Sequence, residues 1–227
     1  MSVLVTTFII IALYELVRWI EDLINWGNET LPTPDLGSIL DSAYKPEECD
    51  IKMSVDCQKL LDTYFREPMG EPLYVRIENR MKGMTPDQKK KLIMEITAKA
   101  STVMHVQLDN VVFENSDCMG TYNFRKNELM VSNAYIESDK CNVEVIKTIF
   151  HELKHAVQYK AVSTGGNVWG YSDDTLIAWA NNFQDYISCV WDPEGYYTQP
   201  IEIDSFGFEC SVIPLPGLGL PSNNTNV

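Results

Sequence analysis

Residues 148–159 read TIFHELKHAVQY, and this stretch holds two of the three histidines in the chain, His151 and His155. The apolar residues around the pair predict a helix from about residue 142 to residue 160. Four helical residues advance about 400°, so both imidazoles leave the same face, one turn apart. Two imidazoles placed in this way can occupy adjacent corners of a tetrahedral zinc site. The stretch therefore predicts one zinc ion per chain.

Glu152 follows the first histidine and lies about 100° further round the helix. This angle is poor for a third ligand, but it lets the carboxylate reach a metal-bound water. Zinc lowers the pKa of such a water to about 7, so a carboxylate is basic enough to take its proton. Glu152 is the predicted general base. A helix that merely holds two histidines is the alternative, although unpaired imidazoles would be costly to bury. Lys154 is expected to face solvent.

The metal needs a third protein ligand, and no histidine follows His155. A carboxylate is therefore expected. The candidates among the acids after the motif are Asp173, Asp174, Asp192, Glu194, Glu202, Asp204 and Glu209. Glu202 is favoured because it lies early in an apolar helix, QPIEIDSFGFE at 199–209, although acids favour helix starts for electrostatic reasons as well. Asp204 is a weaker prediction for a hydrogen-bond acceptor behind a ligand histidine.

The composition excludes some classes of partner. A net charge of −14 argues against nucleic acid, because phosphate binding needs clustered Lys and Arg. Hydrophobic residues make up 45% and charged residues 22% of the 227, which is typical of a globular chain. The six cysteines form no CxxC pair. Buried free thiols in a reducing compartment, and hence a cytoplasmic location, are expected.

The chain is expected to fall into three parts. Residues 1–50 hold an apolar helix and a proline-containing linker, residues 51–213 form one α+β domain, and residues 214–227 form a disordered tail. The apolar run at 3–14, VLVTTFIIIALY, is interrupted by Glu15 and Arg18 before it reaches the roughly 20 residues that span a bilayer. A helix over 1–26 that packs against protein is favoured, and association with a membrane surface is the alternative.

The domain itself begins with predicted helices and continues with strands. Helices are predicted over 54–66 and from Thr85-Pro86, which offers an N-cap followed by proline at the first helical position. Residues 106–113 are strand-like, and residues 119–132 predict two short strands joined by a polar turn near Arg125. Further helices are predicted over 174–189 and from Pro200 to about residue 210.

Three segments, in this order, resemble zincin-like metallopeptidase domains of bacteria and their phages or mobile elements. They are GTYNFRKNELMVSNAYI at 120–136, TIFHELKHAVQY at 148–159 and YYTQPIEIDSFGFE at 196–209. The resemblance covers about residues 105–210, and HExxH is its specific part. Ser205 is a mild departure, since the family usually has a smaller residue there.

The resemblance implies a gluzincin-type site in which His151, His155 and Glu202 bind zinc and Glu152 is the base. It also implies a zincin-like α+β fold. In that fold a small antiparallel or mixed sheet with an edge hairpin, here 119–132, packs on the HExxH helix, and additional helices precede it. A peptide substrate would lie extended along the edge strand.

The expected function is that of a zinc metallopeptidase, which hydrolyses peptide bonds of a protein or peptide substrate. Such an enzyme needs an electrophile for the tetrahedral oxyanion. Tyr159, Tyr196 and Tyr197 are candidates; Tyr197 is preferred because it precedes the ligand segment by about one turn, and simple aromatic packing is the alternative. A non-catalytic module that acts as a membrane-associated or partner-binding protein is the other reading. Glu152 favours the enzyme, since such a module needs no carboxylate beside the first histidine.

Overall fold

The computed structural model describes residues 36–67, 70–163, 167–189 and 191–216. The helices in these ranges are α1 (Leu36–Ala43), α2 (Glu48–Tyr64), α3 (Leu73–Met81), α4 (Pro86–Val103), α5 (Asn133–Glu137), α6 (Asn142–Ser163), α7 (Asp173–Gln184), α8 (Pro193–Tyr197) and α9 (Pro200–Val212). The strands are β1 (Asn110–Glu114), β2 (Gly120–Asn123) and β3 (Glu128–Ser132). The helix predicted over 1–26 and the tail from residue 217 lie outside the described residues.

A small mixed sheet confirms the predicted α+β class. β3 lies in the centre, with β1 parallel to it on one side and β2 antiparallel on the other. β2 and β3 form the predicted hairpin, in which Tyr122 lies opposite Leu129. The turn between them ends at Asn127, whose φ of 46° is a left-handed conformation that asparagine tolerates better than most residues. Among the described residues β2 has a neighbouring strand on one side only, so it is an edge strand.

The helix that carries the histidines is the centre of the molecule. α6 packs against α9 and α7, against α3 and α4, and against β2. Its apolar residues Ile149, Leu153 and Val157 are fully buried, and the sides of α6 that face α9 and β2 are buried as well. A helix enclosed on so many sides can hold polar groups only where neighbouring elements satisfy them.

The start of α4 shows how local sequence sets an element boundary. The Thr85 hydroxyl accepts a hydrogen bond from the backbone N–H of Gln88, and the Gln88 side chain accepts one from the backbone N–H of Thr85. This reciprocal capping box, with Pro86 at the first helical position, satisfies N–H groups that a helix start leaves unpaired. The start predicted from Thr85-Pro86 is confirmed.

Part of the segment expected as a linker is folded. Leu40 and Tyr44 are buried and form a small apolar cluster with Cys210 of α9. The Tyr44 ring lies directly over Gly207, where an added Cβ would stand 2.2 Å from the ring carbon Cδ2. Glycine is required for this close approach. Residues on the N-terminal side of position 51 therefore contribute to the same compact unit as the site.

Two further sequence expectations bear on the surface and the thiols. In the described part of the chain, no helix has both the length and the apolarity needed to cross a membrane. The six cysteines are free, as predicted, but only Cys57 and Cys210 are buried. Burial raises the pKa of the Cys57 thiol to about 12.

Candidate metal centre

The side chains of His151, His155 and Glu202 meet at one point between α6 and α9. Nε2 of His151 lies 3.1 Å from Nε2 of His155. Oε2 of Glu202 lies 3.3 Å from Nε2 of His151, and Oε1 lies 3.4 Å from Nε2 of His155. Within the described residues these three form a group that could hold a metal ion.

Local sequence places Glu202 at this point. Pro200 occupies the first turn of α9 and fixes its start, while Ile201 and Phe208 are buried and turn one face of the helix toward the core. Glu202 follows Ile201 and is fully buried. Its Oε2 atom has no hydrogen-bond partner among the described residues. An ionised carboxylate oxygen buried in this way is costly unless a cation compensates it.

The separations of the three groups are close to those between ligand atoms around a tetrahedral metal ion. Zinc binds imidazole nitrogen and carboxylate oxygen at about 2.0–2.2 Å in tetrahedral geometry, which places neighbouring ligand atoms about 3.3–3.5 Å apart. The two Nε2 atoms lie 3.1 Å apart, and they lie 3.3 Å and 3.4 Å from the two different oxygens of Glu202. Burial would raise the pKa of Glu202, but His155 and His151 outweigh it and hold that pKa well below its usual range. The carboxylate is therefore ionised.

Glu209 supports His151 from the side away from the three ligand atoms. Its Oε2 lies 3.3 Å from Nδ1 of His151, and its Oε1 pairs with Lys147 at 3.1 Å. Burial would lower the pKa of His151, but Glu202 and Glu209 raise it above its ordinary value. Glu209 is thus a neighbour of His151. Glu209 lies seven residues, or about two helical turns, after Glu202. This spacing places both side chains on one face of the helix and was the sequence signal that could have identified Glu209.

Gln158 and Ser205 support His155. Oε1 of Gln158 lies 2.9 Å and Oγ of Ser205 lies 3.2 Å from Nδ1 of His155. The prediction that Asp204 contacts a ligand histidine directly is not met, because Asp204 accepts from Nε2 of Gln158 at 2.7 Å. The reason is angular: residues two apart on a helix lie about 200° apart, so Asp204 cannot share the direction of Glu202.

Glu152 lies beside the three ligands and is held by the edge strand. Its Oε2 accepts a hydrogen bond from the backbone N–H of Tyr122 in β2 at 2.7 Å. Only 7% of the residue is exposed. Burial raises the pKa of Glu152 above its ordinary value, against the opposing charges of His151 and His155. A raised pKa makes this carboxylate a better proton acceptor than a solvated one.

Gly120 allows β2 to approach α6 this closely. A Cβ added there would lie 2.3 Å from Cγ2 of Thr148 and 3.3 Å from Cγ of Glu152. A larger residue fits only if the Thr148 side chain, the strand or the helix moves. A glycine at the start of a strand therefore sets the distance between the edge strand and the base.

Lys154 is fully buried, so the expectation that it faces solvent is wrong. Its ammonium contacts Oδ1 of Asp50 at 2.5 Å and Oδ2 of Asp204 at 3.1 Å, and it donates to the Tyr171 hydroxyl at 2.9 Å. Tyr171 in turn donates to Asp50 at 2.6 Å. The partners belong to α2, α9 and the segment before α7, so no local pattern in the motif could reveal them.

The tyrosine that contacts Glu202 is Tyr186 and not the predicted Tyr197. The Tyr186 hydroxyl donates to Oε1 of Glu202 at 3.0 Å. The ring of Tyr196 packs against that of Tyr186, with centroids 6.3 Å apart, and burial and Glu202 raise the pKa of Tyr196. No hydrogen bond in the described part of the chain joins Tyr197 to a ligand; its ring packs against Phe206, with centroids 5.5 Å apart. Tyr186 follows α7 in a loop and gave no sequence signal.

The other candidates lie away from the three ligands. Four of the alternative acids are exposed: Asp173, Asp174, Asp192 and Glu194. The ring of Tyr159 packs between those of Phe124, which follows β2, and Phe183 of α7. His105 is exposed, and its carbonyl accepts from Lys160. Among the seven acids, only Glu202 joins the two histidines.

Comparison with known proteins yields no relative. A scan against protein-family models, a search of curated proteins and a search of solved structures each find no match to this chain. Function has to be inferred from the site's own geometry and chemistry.

Proposed function

We propose that the protein is a zinc-dependent peptidase, with His151, His155 and Glu202 as the metal ligands. One observation carries the proposal: one ligand atom from each of His151, His155 and Glu202 lies within 4.8 Å of the other two, and a buried carboxylate, Glu152, lies beside them. Two imidazoles and one carboxylate form a donor set typical of catalytic zinc, which leaves a fourth position open. A bound zinc supplies Lewis acidity and lowers the pKa of a coordinated water to about 7.

Glu152 acts as the general base in this proposal. Its carboxylate takes a proton from the attacking water and can pass it to the leaving amine. The hydrogen bond from Tyr122 fixes one of its oxygens, so the other is free to face the reacting atoms. A protein that only binds a metal does not need a general base. The buried carboxylate of Glu152 beside the proposed ligands therefore favours an enzyme over a non-catalytic module.

β2 offers a binding edge for an extended peptide. The backbone N–H of Ser132 donates to the Met119 carbonyl, so the backbone groups of Met119 face β3. Backbone groups alternate in direction along a strand, so those of Gly120 and Tyr122 face away from β3. The Tyr122 N–H is taken by Glu152. The remaining outward groups can pair with a peptide backbone, which would bring a scissile bond next to the base.

Tyr186 is the side chain best placed to stabilise a developing oxyanion. Its hydroxyl already reaches Glu202, and 49% of the residue is exposed, so the group lies at the boundary between the ligands and solvent. A phenol donates a hydrogen bond without needing to titrate. Tyr197, the choice from sequence, remains a prediction.

Elemental analysis and a cleavage screen together test the proposal. Purified full-length protein is expected to contain one zinc per chain by mass spectrometry. Incubated with denatured cell extract, it should generate new peptide termini that the Glu152→Gln protein does not. Absence of zinc after reconstitution would refute the metal assignment. One zinc per chain without cleavage of any peptide would instead support a non-catalytic module.

A further inference from the structure

Gln158 lies three residues beyond His155, and each polar atom of its buried amide has a partner. Nε2 donates to the Ile201 carbonyl at 2.9 Å and to Asp204 Oδ2 at 2.7 Å. Oε1 lies 2.9 Å from Nδ1 of His155. Carbonyl and carboxylate oxygens only accept hydrogen bonds, so the NH₂ end of the amide must face them. The oxygen end must then face the histidine.

This orientation decides which nitrogen of His155 carries the proton. An amide oxygen accepts but cannot donate, so Nδ1 of the neutral ring must be protonated. Nε2 then keeps its lone pair, and Nε2 is the atom that faces His151 and Glu202. The ring is set to bind through Nε2 before any ion arrives.

The amide is itself held by the buried cluster around Lys154. Oδ2 of Asp204 accepts from Gln158 and contacts Lys154 at 3.1 Å. The other two N–H groups of the ammonium are used by Asp50 and Tyr171. Lys154 thus has three acceptors for its three donors, and Asp204 stays in place as an acceptor for Gln158.

A flipped amide would be repelled at every contact. Its oxygen would face the Ile201 carbonyl and the Asp204 carboxylate, and its NH₂ group would face the N–H of His155. Buried ion clusters often contribute no more stability than apolar side chains of the same volume. Fixing the amide gives the charges of Lys154 and Asp204 a function beyond packing.

We propose that Gln158 is a positioning residue that fixes His155 in its Nδ1–H form, and that Lys154 fixes Gln158 through Asp204. The inference rests on the proposed function in so far as His155 is a metal ligand. The inference also extends the proposed function, because it makes metal affinity depend on α2. Asp50 of α2 holds Lys154 through a contact that spans 104 positions of the chain.

The test uses metal-free, full-length protein labelled with ¹⁵N at its three histidines. Long-range ¹⁵N–¹H correlation reports which ring nitrogen is protonated, and the wild-type His155 is expected to be protonated on Nδ1. Gln158→Met keeps the length of the side chain but removes its hydrogen bonds. We expect the proton to move largely to Nε2 and zinc affinity, measured by chelator competition, to fall about 10- to 100-fold.

A matched control separates this effect from packing. Gln58 donates to the Ser211 carbonyl at 2.7 Å between α2 and α9, away from the ligands. Gln58→Met should leave both the tautomer and zinc affinity unchanged. Lys154→Met tests the second link and should also populate the Nε2–H form; if it does not fold, Asp204→Asn replaces it, because an amide can present either end to Gln158.

Two results would count against different statements. Gln158→Met protein with His155 still protonated on Nδ1 and with unchanged zinc affinity would overturn the positioning role. Wild-type protein that binds no zinc would overturn the proposed function, while the tautomers of wild type and Gln158→Met would still decide the role of Gln158.

Discussion

The backbone N–H of Tyr122 donates to Oε2 of Glu152 across 2.7 Å. The contact joins the edge strand of the sheet to the centre of α6, and it forms although the two residues lie 30 positions apart. It places the proposed base and the proposed peptide-binding edge in fixed relation to each other. Because the donor is a backbone N–H, any residue except proline at position 122 can make this contact.

Replacing Glu152 with glutamine should separate metal binding from catalysis. The glutamine carbonyl can still accept from Tyr122, so the site should keep its shape and its zinc. Turnover should fall about 100-fold or more, because general base catalysis is lost. The assay is cleavage of a peptide identified in the proteome screen, with Glu144→Gln, an exposed acid of the same helix, as control. Loss of zinc from the Glu152 variant would mean that Glu152 is a ligand and that the mechanism is wrong.

Removing the carboxylate ligand should be the most severe change among the acids of α9. Glu202→Ala is expected to lose most zinc affinity. Glu209 contacts the proposed ligand His151 directly and Asp204 acts through Gln158, so Glu209→Gln and Asp204→Asn should lose about 10- to 100-fold. Competition with a chromogenic chelator measures all three. Glu194→Gln, an exposed acid, is the control and should match wild type. A Glu194 variant that lost the metal would exclude α9 as the ligand helix.

Removal of zinc should lower thermal stability. At a free zinc concentration about 1,000 times Kd, binding stabilises the folded state by about 4 kcal/mol. For a chain of this size, each kcal/mol corresponds to about 2–4 °C in Tm, so a chelator should lower Tm by about 8–16 °C. Differential scanning calorimetry with and without chelator gives the shift. Glu202→Ala protein should show almost none, and an equal shift in both proteins would show that the stabilising ion binds elsewhere.

Loss of the Tyr186 hydroxyl should affect rate more than metal binding. Deleting one oxyanion donor typically costs about 10²–10³-fold in kcat. Tyr186→Phe, Tyr196→Phe and Tyr197→Phe can be compared in the same peptide assay, with zinc content measured in parallel. We expect the Tyr186 variant to be slowest. If Tyr197→Phe is slowest instead, the sequence-based choice was right and Tyr186 only supports Glu202.

Adding one methyl group at Gly120 should disturb the strand and the base together. The new Cβ would collide with Cγ2 of Thr148, and overpacking of this kind typically costs about 1–3 kcal/mol. Thr148→Ser removes that methyl group but keeps the hydroxyl that donates to the Glu144 carbonyl. We therefore expect Gly120→Ala to lower Tm and activity, and the double variant to recover much of both. Equal losses in the single and double variants would show that the two residues do not interact.

The sequence was informative where a property is local. The spacing of His151 and His155, the Thr85 cap and the position of Glu202 early in α9 all follow from helix geometry, and the structure has them as expected. The hairpin of β2 and β3 is local as well. The parallel pairing of β1 with β3 is not, because strand order depends on how distant segments pack.

The support behind the ligands shows where sequence reasoning stops. The expectation that Lys154 faces solvent is wrong because its buried partner Asp50 lies 104 positions away. Gln158 carries no local signal of its contacts with Ile201 and Asp204. Tyr186 was predicted inside a helix over 174–189, whereas α7 ends at Gln184 and the following loop carries its hydroxyl to Glu202. In each case the deciding partner is distant in sequence.

The order in which the ligands occur along the chain bears on when the site can be loaded during synthesis. A growing polypeptide exposes α6, with both histidines, well before the ribosome has made α9. Until Glu202 and Glu209 emerge, the two imidazoles have neither the carboxylate ligand nor one of their supporting acids. Asp50 emerges first of all, yet it can complete its contact with Lys154 only after α6 has formed. On the proposed ligand set, a nascent chain lacks the carboxylate ligand until α9 emerges, so a protein that ends before α9 is expected to bind no zinc.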